Sequence, residues 1–84
     1  MRVNVKLFAV FRDIVGRPEV ELELREGGTV GEAWERLRGE HERLAGAVAS
    51  VLFAVNKEIV QPEFSLHEGD EVAFLPPVSG GGGV

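Results

Sequence analysis

The sequence predicts an α+β fold, a mixed sheet of about five strands with one main helix packed across one face. Two observations carry that reading. Val3, Val5 and Leu7 alternate with Arg2, Asn4 and Lys6 near the start, and Val72 and Phe74 alternate with Glu71, Ala73 and Leu75 near the end, the period-two pattern of strands with one buried face. Between them Val30, Ala33, Trp34 and Leu37 stand at i, i+3, i+4 and i+7, the apolar stripe of an amphipathic helix packing on a sheet.

Taken in order, "RVNVKLFAV" is the first strand, with Phe8 on its polar side. "FRDIVG" makes a short helical turn ended by Gly16, and "EVELEL" alternates Val20, Leu22 and Leu24 with glutamates as a second half-buried strand. "TVGEAWERL" opens with a T-x-x-E capping box, Thr29 with Glu32, which starts the main helix. Gly39 and Gly46 interrupt the helical pattern and leave "EHERLAGAVAS" as a second short helical piece and a connection. "VLFAVN" reads as a buried strand, and "NKE" turns the chain into a short strand at Ile59 and Val60. Gly69 and Asp70 introduce the last strand, "EVAFLP". This order is the layout of a β-grasp, in which the first and last strands lie adjacent and parallel in mid-sheet. Ala73 and Leu75 then face outward, and Phe8 and Leu75 sit side by side, away from the helix, as an apolar docking surface.

A chain of 84 residues has room for one domain, and its 44% hydrophobic and 27% charged residues argue against disorder. Nine Lys and Arg against 14 Asp and Glu give a net charge of -5, which disfavours nucleic acid and anionic membranes and points to a protein partner. With no signal segment and no apolar run of about 20 residues, the expected location is the cytoplasm. The absence of cysteine excludes disulfides, thiolate metal sites, iron–sulfur ligation and a thiol nucleophile. His41 and His67 lack metal-ligand spacing, and Ser50, Ser65 and Ser79 lack a G-x-S-x-G setting. No metal, cofactor or hydrolase site is therefore expected in this chain. The glutamates of "EVELEL" and the mixed charges of "ERLRGEHERL" read as solvated faces, and Trp34 as core.

The chain closes with "FLPPVSGGGGV". Glycine buries no side chain and loses the most backbone freedom on ordering, so four in a row do not belong to a core. Taken alone the run reads as a disordered end or a cloning remnant, since no G-K-[ST] follows to make it a phosphate cradle. The residues before it change that reading. The expected organisation is a β-grasp domain over 1–78 and a flexible tail over 79–84.

Together, "LFAVFRDIVG", "FAVNKEIV" and "EGDEVAFLPPVSGG" resemble the small subunit of molybdopterin synthase, the ubiquitin-like sulfur carrier family called MoaD. The family's ending is P-P-V-[ST]-G-G, matched by Pro76, Pro77, Val78, Ser79, Gly80 and Gly81. By the same matching, Phe8, Ile59 and Leu75 correspond to positions that contact an adenylating enzyme and the large synthase subunit. The resemblance implies that an E1-like, MoeB-like partner adenylates the C-terminal glycine with ATP. A sulfur donor, cysteine desulfurase or rhodanese, then leaves a thiocarboxylate, which serves a pterin precursor in the MoaE-like large subunit. It also explains the glycines, because a tail without Cβ atoms passes through a channel too narrow for other residues. Pro77 to Gly81 reaches about 14 Å at full extension, enough to enter a partner's active site. One departure is that Gly82, Gly83 and Val84 follow the glycine pair, so exposing the Gly81 carboxylate calls for a processing protease, unless the three are a cloning remnant. Carriers for thiazole or tRNA thiolation and ubiquitin-like protein modifiers share this fold and tail. A non-catalytic interaction module with the tail as a mere linker is the alternative of another class.

Overall fold

The computed structural model describes residues 1–47 and 51–76. The tail residues Pro77, Val78, Ser79, Gly80, Gly81, Gly82, Gly83 and Val84, and with them the expected domain boundary, lie outside the described residues. Along the chain run β1 (Arg2–Leu7), α1 (Ala9–Val15), β2 (Glu19–Glu23), α2 (Val30–Glu40), α3 (Glu42–Ala47), β3 (Leu52–Val55), β4 (Glu58–Val60) and β5 (Glu71–Leu75). The five strands form one sheet in the order β2-β1-β5-β3-β4. β1 and β5 pair in parallel at its centre, with Val5 beside Val72 and Leu7 beside Phe74, and every other pairing is antiparallel. The expected β-grasp topology is present, and its central parallel pair fixes where the tail begins.

Alternation decides which face each strand buries. Val3, Val5 and Leu7 of β1 and Val72 and Phe74 of β5 are buried against Val30, Ala33, Trp34 and Leu37 of α2 and their neighbours in one core. Trp34 sits among Phe11, Phe53 and Phe74, with ring centroids 5.3, 6.5 and 5.1 Å away in tilted or edge-on contact. Such pairs add about 0.5–1.5 kcal/mol beyond the area they bury, so this cluster locks the helix to the strands that carry the outward face. Among the described residues no polar or charged side chain is buried. Hydrophobic contact therefore holds the domain together.

α2 begins as a capped helix should, with the Glu32 N–H donating to Thr29 Oγ1 at 3.2 Å. Half of the expected capping box is missing, because the Glu32 carboxylate turns away to take two hydrogen bonds from Arg25, at 3.0 and 2.6 Å. That hydrogen bonding, and then the carboxylate's charge, hold the Arg25 guanidinium above its ordinary pKa. The loop after β4 supplies the remaining caps: the Val30 N–H donates to the Phe64 carbonyl and the Gly31 N–H to the Pro62 carbonyl, both at 2.9 Å.

Two boundaries depart from expectation. Gly39 does not interrupt α2, which continues through Glu40 and stops at His41, whose φ of -139° and ψ of 88° leave helical space. An exposed interior glycine costs only about 1 kcal/mol, less than the buried face of the helix gains. The turn expected at "FRDIVG" is the seven-residue helix α1, held by burial of Phe11 and ended by Gly16 at φ 85°.

Candidate functional site

The sheet face turned away from α2 is built from the residues that alternation leaves outside the core. Across β2 and β1 that face is charged: Arg2 lies 3.9 Å from Glu21 and 3.4 Å from Glu23, and Lys6 reaches Glu71 at 3.2 Å. Beyond Glu71, across the rest of β5 and across β3 and β4, it is apolar. Ala73 pairs with Ala54, Leu75 with Leu52, and Ala54 with Ile59. Ile59 is 62% exposed and Leu52 42%, while Leu75 is half-buried. One side of the face is thus ion-paired and the other offers a contiguous apolar surface, the kind that marks a docking site.

Phe8 borders this surface in a different way from its sequence reading. β1 ends at Leu7, opposite Phe74 and three residues short of the expected strand, Ala9 and Val10 belong to α1, and Phe8 is the extended residue that caps that helix, with φ -130° and ψ 153°. It is 42% exposed, at the same end of the sheet as Leu75. The next residue, Ala9, has φ 51°, and this left-handed backbone turns the chain from strand to helix immediately after Phe8.

Leu52 is the apolar residue that the sequence reading misplaced, since "VLFAV" reads as wholly buried. A continuous apolar run gives no parity, whereas the pairing of Leu52 with outward Leu75 does. Ala54 lies on the same outward face and is buried without belonging to the core cluster, covered instead by its neighbours there. Pro76, the last described residue, leaves β5 at the rim of this apolar area and is itself half-buried.

His67 is remote from this surface in the β4–β5 loop, its side chain 82% exposed and 4.0 Å from Asp70 Oδ2. His41 serves as the end of α2, its N–H donating to the Leu37 and Arg38 carbonyls at 3.1 and 3.2 Å. Among the described residues no group of three or more His, Asp and Glu side chains is placed to hold a metal ion. No helix among them is long and apolar enough to cross a membrane.

Comparison with known proteins bears on what such a surface and tail serve. The sequence model of the ThiS family matches residues 5–81. The molybdopterin synthase sulfur carrier subunit of Mycobacterium tuberculosis is 37% identical over 82 residues, covering 96% of this chain and 99% of that protein. Its counterpart in Chlamydomonas reinhardtii is 35% identical over 83 residues, covering 96% of this chain and all of that one. Among solved structures, the small archaeal modifier protein SAMP1 from Haloferax volcanii superposes with a TM-score of 0.84 at 30% identity, covering 96% of this chain and 100% of that one.

Proposed function

The chain belongs to the ThiS family, and from that premise we propose that it is the sulfur carrier subunit of a molybdopterin synthase. The observation that supports this most is where the tail starts. β5 is the central strand, and it hands the chain over at Pro76 beside the apolar surface of Leu75, Leu52 and Ile59. A partner docked on that surface receives the tail directly. Gly81 is the proposed reactive residue, preceded by Gly80, and the family match ends at Gly81. Removal of Gly82, Gly83 and Val84 by a protease precedes the chemistry.

The chemistry follows from the weakness of a carboxylate as an electrophile. An E1-like, MoeB-like partner consumes ATP to convert the Gly81 carboxylate to an acyl-adenylate, releasing pyrophosphate. The outer sulfur of a persulfide on a desulfurase or rhodanese attacks the acyl carbon and displaces AMP, and a thiol of the partner proteins then cleaves the S–S bond of the resulting acyl disulfide, forming a disulfide with the donor's inner sulfur and releasing the thiocarboxylate. In the MoaE-like large subunit this sulfur attacks the pterin precursor and displaces an oxygen substituent, water hydrolyses the acyl–sulfur bond so that the sulfur stays on the pterin and the carrier departs with its carboxylate restored, and a second carrier supplies the other sulfur of the dithiolene. The chain contributes reach, a docking surface and a main-chain terminus. Acids, bases and ATP belong to the partners, and no cofactor is assigned to the chain itself. Phe8, Ile59 and Leu75 dock the partners, and Pro76, Pro77, Val78 and Ser79 guide the tail.

To test this, the thiocarboxylated form ending at Gly81 is mixed with the large subunit and the pterin precursor. Dithiolene formation with return of the carboxylate is expected. Sulfur transfer only to a thiazole or tRNA acceptor would assign the chain to another thiolation pathway. The likeness to SAMP1 favours a second reading, a protein modifier, which predicts instead an isopeptide bond from Gly81 to a lysine of another protein.

A further inference from the structure

The edge of the sheet farthest from the apolar half of its outward face is β2. Its main chain alternates in direction. The Leu7 N–H donates to the Pro18 carbonyl at 2.9 Å, the Leu24 N–H to the Met1 carbonyl at 2.7 Å, and the Met1 ammonium to the Leu24 carbonyl at 2.6 Å. Even-numbered residues of this strand therefore face β1, and Glu19, Glu21 and Glu23 aim their N–H and C=O groups away from the sheet. Arg36 Nη1 takes up the Glu23 carbonyl at 3.0 Å. Among the described residues nothing pairs with the outward main chain of Glu19 or Glu21. Alongside runs a groove of about 830 Å³ with a mixed lining, in which Val15, Pro18 and Val20 stand among Arg17, Glu40 and His41 while Leu22 and Leu37 are buried beneath.

We propose that this edge receives an extended segment of a partner protein as a sixth strand, and that the segment alternates apolar with basic residues. An unpaired edge is a template for strand addition, and cross-strand neighbours decide what fits it. On the helix side, the added strand meets half-buried Val20 with Val15 and Pro18 beside it, which suits apolar residues at those positions. On the other side it meets Glu19 and Glu21. Arg2 reaches Glu21 and Glu23 across an exposed surface, where such pairs are weak, and Glu19 has no ion-pair partner among the described residues. Lysine or arginine on the incoming strand completes these carboxylates. A second copy of the chain is a poor occupant, because pairing two β2 edges sets glutamates against glutamates. The surface lies at the edge opposite β4, so it is independent of the sulfur-carrier reading, and both sites can be occupied together.

The test uses the full chain, isotopically labelled, with a capped six-residue peptide of alternating valine and lysine as probe and a valine–glutamate peptide as control. The valine–lysine peptide is expected to bind, and at saturation to slow hydrogen exchange of the Glu19 and Glu21 amides about tenfold or more. Its affinity is expected to fall about tenfold in Glu21→Pro, which removes an outward N–H that no internal ladder uses. The double variant Glu19→Lys, Glu21→Lys should show a similar loss, and it decides the matter should Glu21→Pro fail to fold. Absence of binding, equal binding of both peptides, unchanged exchange at the two amides, or undiminished binding by the double variant would each overturn the proposal. So would concentration-dependent dimerisation that protects the same amides without peptide.

Discussion

Leu75 carries the sharpest prediction at the scale of a single side chain. It projects from β5 on the side opposite buried Phe74, and its nearest cross-strand partner is exposed Leu52. Leu75→Glu is expected to leave the circular dichroism and the unfolding midpoint nearly unchanged while abolishing binding to the large subunit, because the carboxylate becomes buried only in the complex. Undiminished affinity would remove Leu75 from the interface, and loss of folding would place it in the core. Leu52→Glu should behave the same way. A third residue tests the main helix rather than the surface: Thr29→Ala removes the acceptor of the Glu32 N–H and should cost about 1 kcal/mol in chemical denaturation. The outward residues were legible wherever a polar neighbour set a phase, as Glu71 does for Leu75 in "EVAFLP". Leu52 was not, because every residue of "VLFAV" is apolar and only pairing with β5 gives it a side.

Elements show where local chemistry is over-ridden by packing. The hairpin between β3 and β4 turns on Asn56 and Lys57, both left-handed with φ of 50° and 74°, which is the geometry of a two-residue turn that prefers Asn-Gly. Lys57→Gly removes the Cβ cost at the second position and is expected to raise stability by about 0.5–1 kcal/mol, read as a higher denaturation midpoint. Gly31 is the opposite case. A Cβ there would lie 3.0 Å from the Pro62 carbonyl oxygen and 3.2 Å from Pro62 Cβ, so Gly31→Ala must push the loop from the helix. It should destabilise the domain despite alanine's better helix propensity, and a gain in stability would show that the loop gives way freely. Nothing in the sequence tells that Gly31 meets Pro62, since the contact joins segments 31 residues apart. The same lack of tertiary information misplaced the end of α2: Gly39 looked like a stop signal, while burial of Leu37 and Leu44 decides the helical path on either side of His41.

At the scale of the molecule, the domain presents two unlike surfaces, an apolar half-face beside β5 and an acidic free edge at β2. The topology that separates them was readable from the order of strands and helix, because that order matches the β-grasp layout, in which the first and last strands pair in parallel in mid-sheet. The central proposal concerns the tail that follows β5: that Gly81 is the terminus that takes sulfur, and that a form ending in Val84 is an inactive precursor. Valine is β-branched, and three further residues carry the carboxylate roughly 10 Å beyond the point of adenylation. The direct measurement is the intact mass of two purified forms, one ending at Gly81 and one at Val84, after incubation with the E1-like enzyme, ATP and a sulfur donor. The account predicts that only the shorter form gains the mass difference between sulfur and oxygen, and that Gly81→Ala impairs the gain. Sulfur uptake at full rate by the Val84 form, with no proteolysis, would contradict it.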